Sequence, residues 1–172
     1  PIHYEDTPCY HYYPGKERSS EFREALYVGY RYYTTIDKKV RYPFGYGLSY
    51  TKFRYYNLKV NEQGVTFGIE NTGDVAGAEV AQLYIGRKSD TVFRPVRELK
   101  GFKRVVLAPG EETEVTIPFD DKTFRFFDTR TNTWEIESGE YQIMIGTDAE
   151  TMQLQAPMQV NGTVAEGPYR RD

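Results

Sequence analysis

From Thr51 onwards, short stretches of the chain alternate between apolar and polar residues, and turn-forming residues separate these stretches. Val65, Phe67 and Ile69 would share one face of a strand, and residues 113–119 alternate as strictly. Roughly seven or eight such strands follow one another with turn signals about every 8–12 residues, and there is almost no helical periodicity. This pattern predicts an all-β, antiparallel β-sandwich with Greek-key connections, and a closed barrel is the alternative.

Turn chemistry supports the strand boundaries. Asn71-Thr72-Gly73-Asp74 predicts a turn in which Gly73 adopts a positive φ, and Pro109-Gly110 predicts another turn of this kind. We expect longer extended segments between such turns at residues 52–60, 65–70, 78–85, 99–107, 113–119 and 141–146. Shorter extended stretches are expected at residues 124–127, 134–136, 152–155 and 158–160.

The first 50 residues read differently and predict an irregular N-terminal extension. Residues 1–20 contain Pro, Gly and short polar residues, which favours a loop. Residues 21–36 are ambiguous, because Glu21–Leu26 favours a helix whereas the aromatic and β-branched residues of Tyr30–Thr35 favour a strand. We predict a short helix in this range. In residues 41–50, glycines would let the backbone pass close to a neighbouring surface against which the aromatic rings pack.

Composition and charge exclude some partner classes. The 172 residues carry a net charge of −3, so we expect no nucleic-acid partner, and no apolar run approaches the ~20 residues that span a bilayer. Cys9 is the only cysteine, so no intrachain disulfide forms, and the compartment stays open between cytoplasmic and secreted. Aromatic residues make up 16% of the chain, which suits both pleated sheets and sugar stacking.

No group of residues has the pattern of a catalytic, cofactor or metal site. His3, Cys9 and His11 match zinc spacing poorly, and neither histidine stands on an element that would hold it as a catalytic base. Asp120, Asp121 and Asp148 fit no calcium-loop spacing. We assign the remaining acids to turns and solvated strand faces, among them Glu111, Glu112, Asp120, Asp121, Glu135 and Glu137.

Aromatic side chains are the candidate contact residues. Trp134, the only tryptophan, lies between a turn and a strand and is either a sugar platform or a packing residue, as are Tyr84 and Phe127. The tyrosines of the N-terminal extension suggest that this segment lies on another surface. The residues expected to contact a sugar or another domain are Trp134, Tyr30, Tyr32, Phe44 and Tyr46.

Several strings, taken in order over residues 12–147, together resemble family 3 glycoside hydrolases of the β-glucosidase type. Residues 43–51 are similar to the PFGYGLSYT segment that opens the terminal domain of that family, and Glu24-Ala25 departs from the expected Glu-Gly. The strings are Tyr12–Gly15, Glu24–Tyr33, Tyr42–Thr51, Asn71–Tyr84, Arg97–Val105 with Leu107–Glu111, and Ser138–Tyr141 with Ile145–Thr147.

The resemblance implies a fibronectin type III-like, immunoglobulin-type sandwich at residues 49–165. Residues 1–48 would be the end of a preceding α/β sandwich domain with its connector, and residues 166–172 a tail. Family members hydrolyse β-glycosides with retention, using an aspartate nucleophile on a (β/α)8 barrel and an acid/base usually on the α/β sandwich domain. Neither region is in this sequence, so no catalytic residue is carried over, no cofactor or metal is expected, and we predict that the chain alone is inactive.

The favoured function is therefore an accessory domain that stabilises a parent enzyme by docking on its barrel and α/β sandwich domains. A β-glycoside substrate and a homodimer of the chain are further potential partners. The alternatives are a carbohydrate-binding module and a free-standing interaction domain, the second of which predicts disorder in residues 1–48. Loop 86–97, with Arg87, Lys88, Asp90 and Arg94, is long enough to rim a pocket built by other domains.

Overall fold

In the computed structural model, residues 1–15, 19–87, 89 and 92–163 are described, and these ranges contain nine strands. Lys88 and Asp90 of loop 86–97 and the predicted tail 166–172 lie outside them. The elements are a 3-10 helix Tyr4–Asp6, α1 Tyr30–Thr35, β1 Phe53–Asn61, β2 Gly64–Asn71, β3 Gly77–Gly86, β4 Glu98–Leu107, β5 Glu112–Pro118, β6 Phe126–Asp128, β7 Thr133–Glu135, β8 Gly139–Gly146 and β9 Met152–Val160.

The main strands form two antiparallel sheets, which confirms the sandwich. The three-stranded sheet has the order β1-β2-β5, the four-stranded sheet has the order β4-β3-β8-β9, and β6 and β7 form a separate hairpin. The chain enters the second sheet with β3 and β4, returns to the first with β5 and then crosses back, which is a Greek-key connection. The closed-barrel alternative does not describe this arrangement.

The inward faces of the two sheets form the main core. Val65, Phe67 and Ile69 on β2 are essentially inaccessible, and they share the core with Leu83 on β3 and Ile143 on β8. Complete burial of such side chains contributes about 1.5–3 kcal/mol each. The alternation read from the sequence therefore decides which strand faces meet.

One strand prediction was wrong in number, and the short helix predicted within residues 21–36 is present at the end of that range. Residues 152–160 form a single strand rather than two, and Pro157 is tolerated because β9 is an edge strand of its sheet. In the extension, the helix is the aromatic segment Tyr30–Thr35, whereas the helix-favouring residues 21–26 are irregular and Ala25 has a φ of 49°. Tertiary packing of α1 outweighs local propensity, which amounts to less than about 1 kcal/mol per residue.

The two predicted glycine turns differ. Gly110 adopts a φ of 72°, as predicted, but Gly73 is absent from the glycines with positive φ. Instead, a Cβ atom on Gly73 would lie 2.2 Å from Oγ1 of Thr51. Gly73 is therefore required for close approach between the start of the sandwich and the β2–β3 turn.

Asn71 organises the same turn. Its side chain is completely buried, and its amide nitrogen donates to the carbonyl oxygens of Val75 at 2.8 Å and Leu107 at 3.0 Å. Its Oδ1 accepts from the Thr51 hydroxyl at 2.5 Å and from the Gly73 N–H at 3.1 Å. One side chain thus joins three segments of the sandwich that are distant in sequence.

Within the described ranges, no helix has the length and apolar character that crossing a membrane requires.

Candidate interdomain docking site

The N-terminal extension is seated on the outer face of the four-stranded sheet. The ring of Tyr30 stacks on Phe44 at 5.2 Å between centroids and meets Tyr84 edge-on at 5.8 Å. Tyr84 is fully buried beside Met144 and Ala149, so this contact forms a second, small core on the outside of the sandwich. We call this contact area the connector seat; the residues that form it are Tyr30, Phe44, Tyr84, Leu99, Met144, Ala149 and Met152.

Backbone hydrogen bonds fix the seat. The N–H of Leu99 on β4 donates to the Tyr30 hydroxyl at 2.8 Å, and the N–H of Ala149 donates to the carbonyl oxygen of Phe44 at 2.8 Å. At the end of α1, the hydroxyl of Thr35 accepts from the N–H of Val96 at 3.2 Å. Burial raises the pKa of Tyr30, which keeps its hydroxyl neutral.

Gly45 marks a close crossing of the extension over the sheet. Its φ is +88°, and a Cβ atom there would lie 2.4 Å from the side-chain nitrogen of Gln82. That amide cannot move away freely, because it donates to the carbonyl oxygen of Thr147 at 2.6 Å and accepts from the Tyr84 hydroxyl at 2.7 Å. The close backbone passage predicted within residues 41–50 is therefore present at Gly45.

The aromatic rings of the extension are only partly covered. Tyr30 is partly buried, but Phe44 and Tyr46 remain 52% and 47% exposed. Tyr32 contacts Tyr33 at 5.2 Å rather than the sheet residues named above. The structure therefore brings Tyr30, Phe44 and Tyr46 to one region, and it leaves apolar surface there open to a further partner.

Trp134 lies elsewhere, on the β6–β7 hairpin. It is 57% exposed and pairs directly with Phe127, whose ring it meets edge-on at 5.5 Å. The guanidinium of Arg125 lies 4.8 Å from the Trp134 ring centre and forms an ion pair with Asp121 at 2.7 Å. Trp134 therefore does not share a site with Tyr30 and Phe44, and one ring face already has a cationic neighbour.

An acid that is largely shielded from solvent contacts the described residues of loop 86–97. Glu137 forms ion pairs with Arg87 at 3.0 Å and Arg94 at 3.8 Å and accepts from the Ser89 hydroxyl at 2.6 Å. Its side chain is only 12% exposed, so the assignment of Glu137 to a solvated turn was wrong. The arginines come from a loop about 50 residues away, and spacing along the chain gives no signal of this contact.

The other acids have structural partners. Glu111 accepts from the N–H of Ala108, Glu112 from the hydroxyl of Tyr56, and Asp148 from two backbone N–H groups of the β8–β9 turn. Hydrogen bonds hold the pKa of Asp120 and of Glu135 below the ordinary value. Among the described residues, no group of three or more His, Cys, Asp or Glu side chains is arranged to hold a metal ion.

Sequence reasoning missed the apolar residues on the outer face of β3 and β4. Val80, Phe102 and Val106 are 37%, 68% and 59% exposed. The sequence contains a pattern that could have identified this surface, because β4 carries apolar residues at positions that alternate with its inward-facing ones. A strand that is apolar on both faces indicates a second covered surface.

Comparisons with known proteins agree with this geometry. A family model described as a fibronectin type III-like domain matches residues 79–149. The chain is 43% identical over 165 residues to a probable beta-glucosidase K of Emericella nidulans, a match that covers 95% of this chain and 20% of that protein. It is 40% identical over 172 residues to the thermostable beta-glucosidase B of Acetivibrio thermocellus, with 95% and 23% covered.

A solved structure shows the same relationship. The crystal structure of a GH3 beta-glucosidase from Bifidobacterium adolescentis superimposes with a TM-score of 0.89 at 37% identity, covering 96% of this chain and 25% of that one. The chain thus spans about a fifth to a quarter of the length of these relatives. It corresponds to the C-terminal fibronectin type III-like domain, with the segment that precedes it, of family 3 glycoside hydrolases of the β-glucosidase type.

Proposed function

We propose that the chain is an accessory domain that stabilises a β-glucosidase-type glycoside hydrolase, whose own reaction is retaining hydrolysis of β-glycosides. The observation that carries this proposal is the connector seat. Residues 30–46 are fixed to the sandwich by Tyr30 and Phe44, while neighbouring apolar side chains such as Tyr42 and Tyr50 stay 66% and 101% exposed. A segment that is rigidly mounted and apolar on its outer side is suited to hold a second domain.

In this proposal the catalytic groups belong to the rest of the parent enzyme. The acids of the sandwich have structural roles: Glu111 accepts a hydrogen bond within a turn, and Glu137 pairs with Arg87 of loop 86–97. Acids held in such contacts are not placed to transfer a proton to a substrate. The partners would be the (β/α)8 barrel and α/β sandwich domains, with residues 1–48 as the end of the latter and residues 49–165 as the accessory domain.

The first experiment measures hydrolysis of a nitrophenyl β-glucoside by this chain alone, beside the full-length enzyme that contains it. We expect turnover by the enzyme and none by the chain. Turnover by the purified chain would overturn the proposal. The stabilising part is tested separately by Tyr42→Ser and Tyr50→Ser in the full-length enzyme, which should lower its unfolding temperature, whereas Phe127→Ser on the hairpin serves as the matched exposed aromatic control.

A second candidate function is carbohydrate binding at the β6–β7 hairpin. The exposed pair Trp134 and Phe127, with the charged Arg125 and Asp121 beside it, has the ring surface and polar groups that sugar rings bind. Titration with cello-oligosaccharides, followed by Trp134 fluorescence, tests this candidate. No spectral change at millimolar sugar would rule this candidate out. Calorimetry that finds the sugar bound as tightly by Trp134→Phe as by the unchanged chain would rule it out as well.

The third reading, a free-standing interaction domain, requires an extension without fixed contacts. The hydrogen bonds of Tyr30 and Phe44 to the sandwich weigh against it.

A further inference from the structure

The extension covers only one end of the outer face of β3 and β4. On β3, Ala78, Val80, Gln82 and Tyr84 alternate outwards, and the extension covers the Tyr84 end. At the other end, Val106 pairs with Ala78, Arg104 with Val80, and Phe102 with Gln82. Because directly paired residues share a face, the exposed residues Val80, Phe102 and Val106 form one apolar surface. We call Val80, Phe102, Arg104 and Val106 the β3–β4 patch.

The patch continues into the extension beyond the connector seat. A cleft of about 370 Å³ lies between residues 45–51 and the part of β3 at Ala78–Val80. Leu48 lines this cleft and is 90% exposed. The patch and the exposed side of residues 46–50 are therefore neighbouring parts of one surface.

The charge pattern of the patch is that of a protein interface. Arg104 is exposed between Phe102 and Val106, and it forms no ion pair with any residue in the part of the chain that the structure describes. Arginine flanked by aromatic and aliphatic side chains is enriched at interface cores, where its guanidinium pairs with a carboxylate of the partner.

We infer that the β3–β4 patch is the surface on which a catalytic domain of the same polypeptide docks, through an apolar area that carries a carboxylate opposite Arg104. This inference rests on the proposed function. The occupant follows from length and connection. The match covers 20% of one relative and 25% of another, so these relatives contain about three to four times as much chain outside the matched part. The extension, which would join the rest of such a chain to the sandwich, is fixed beside the patch. Covalent connection gives such a domain a high effective concentration at this surface.

Hydroxyl-radical footprinting of the full-length enzyme tests the inference, because the reaction rate of an aromatic side chain follows its exposure to solvent. The reference for each residue is its rate in the unfolded enzyme. We expect Phe102 to react at least about fivefold more slowly than its reference, since water is excluded from an interface core. Phe127, which is 45% exposed in this chain against 68% for Phe102, is the control and should stay reactive, because it lies on the β6–β7 hairpin outside the patch.

The outcomes separate this inference from the proposed function. Protection of Tyr42 and Tyr50 with a reactive Phe102 would overturn the inference and leave the proposed function standing, whereas reactivity at all three positions would overturn both. Protection of Phe102 that disappears on dilution would identify a second copy as the occupant and would also overturn the inference.

A charge reversal identifies the partner group. Arg104→Glu in the full-length enzyme should restore the reactivity of Phe102 and lower the unfolding temperature. Arg104→Lys keeps the charge and should leave Phe102 protected. Equal protection of Phe102 in both variants would overturn the inference that a carboxylate of the partner lies opposite Arg104.

Discussion

The hydroxyl of Tyr30 accepts a hydrogen bond of 2.8 Å from the backbone N–H of Leu99, 69 residues further along the chain. Leu99 lies at the irregular point where the register of β4 against β3 shifts. A side chain of the N-terminal extension thereby satisfies a backbone donor of the sandwich. The extension is part of the packed structure, and its loss would expose Tyr84 and Met144 as well as this donor.

Tyr30→Phe tests the contribution of this hydrogen bond, because the ring that stacks on Phe44 is kept. We expect the free energy of unfolding in urea to fall by about 0.5–1.5 kcal/mol, since the N–H of Leu99 loses its acceptor. Amide exchange at Leu99 should accelerate as well. Tyr32→Phe is the control, and an equal loss of stability in both variants would contradict the assignment.

Gly45→Ala should loosen the extension where it crosses β3. A residue with a Cβ atom at a φ of +88° costs about 1–2 kcal/mol, and the new atom would also displace the bound amide of Gln82. Gly47→Ala provides the matched control, because its Cβ atom would meet nothing within 4 Å and its φ is not positive. Urea unfolding of both variants measures the difference, and a Gly47→Ala variant as unstable as Gly45→Ala would show that flexibility alone matters.

Asn71→Ala should be the most destabilising of these substitutions, at about 2–4 kcal/mol. It leaves the carbonyl oxygens of Val75 and Leu107 and the hydroxyl of Thr51 without their buried partner. Asn61→Ala is the comparison, since Asn61 accepts two backbone hydrogen bonds in an exposed turn. Thermal unfolding of the two variants measures the difference. Similar losses of stability would mean that burial of the Asn71 hydrogen bonds contributes nothing to the stability of the fold.

Glu79→Gln should stabilise the chain at neutral pH. Burial raises the pKa of Glu79 above its ordinary value of 4.5, and its carboxylate accepts from the Tyr55 hydroxyl at 3.0 Å. Because the folded state binds this proton more tightly, the related stability is present below pH 4.5 and is lost as pH rises through the folded pKa. The amide still accepts from Tyr55 and carries no charge.

Urea unfolding from pH 4 to pH 7 measures this effect. At pH 7 the free energy of unfolding of Glu79→Gln should be higher than that of the wild type by about 1 kcal/mol or less. The gain is small because solvent screens a partly exposed carboxylate. The advantage should shrink towards pH 4. Glu114→Gln on the exposed face of β5 is the control, and a difference that does not vary with pH would contradict the role of Glu79.

The candidate site was only partly accessible from the sequence. Tyr30, Phe44 and Tyr46 were expected to make contacts, and the structure places them beside the outer face of β3, but their common surface depends on Tyr84 and Ala149, more than 50 and 100 residues away. Glu137 illustrates the same difficulty: a turn acid looks solvated until two arginines from another loop close over it.

The sequence by itself determined the strands, most turns and the inward faces, because alternation with a period of two and the φ requirement of Gly110 act over a few neighbouring residues. It also carried the resemblance to a terminal sandwich domain. Only the tertiary structure decided that Tyr30–Thr35 is helical, that Gly73 serves close approach and that Asn71 joins three segments. These features depend on partners distant in the chain, whose packing and hydrogen bonds outweigh local propensities that differ by less than about 1 kcal/mol per residue.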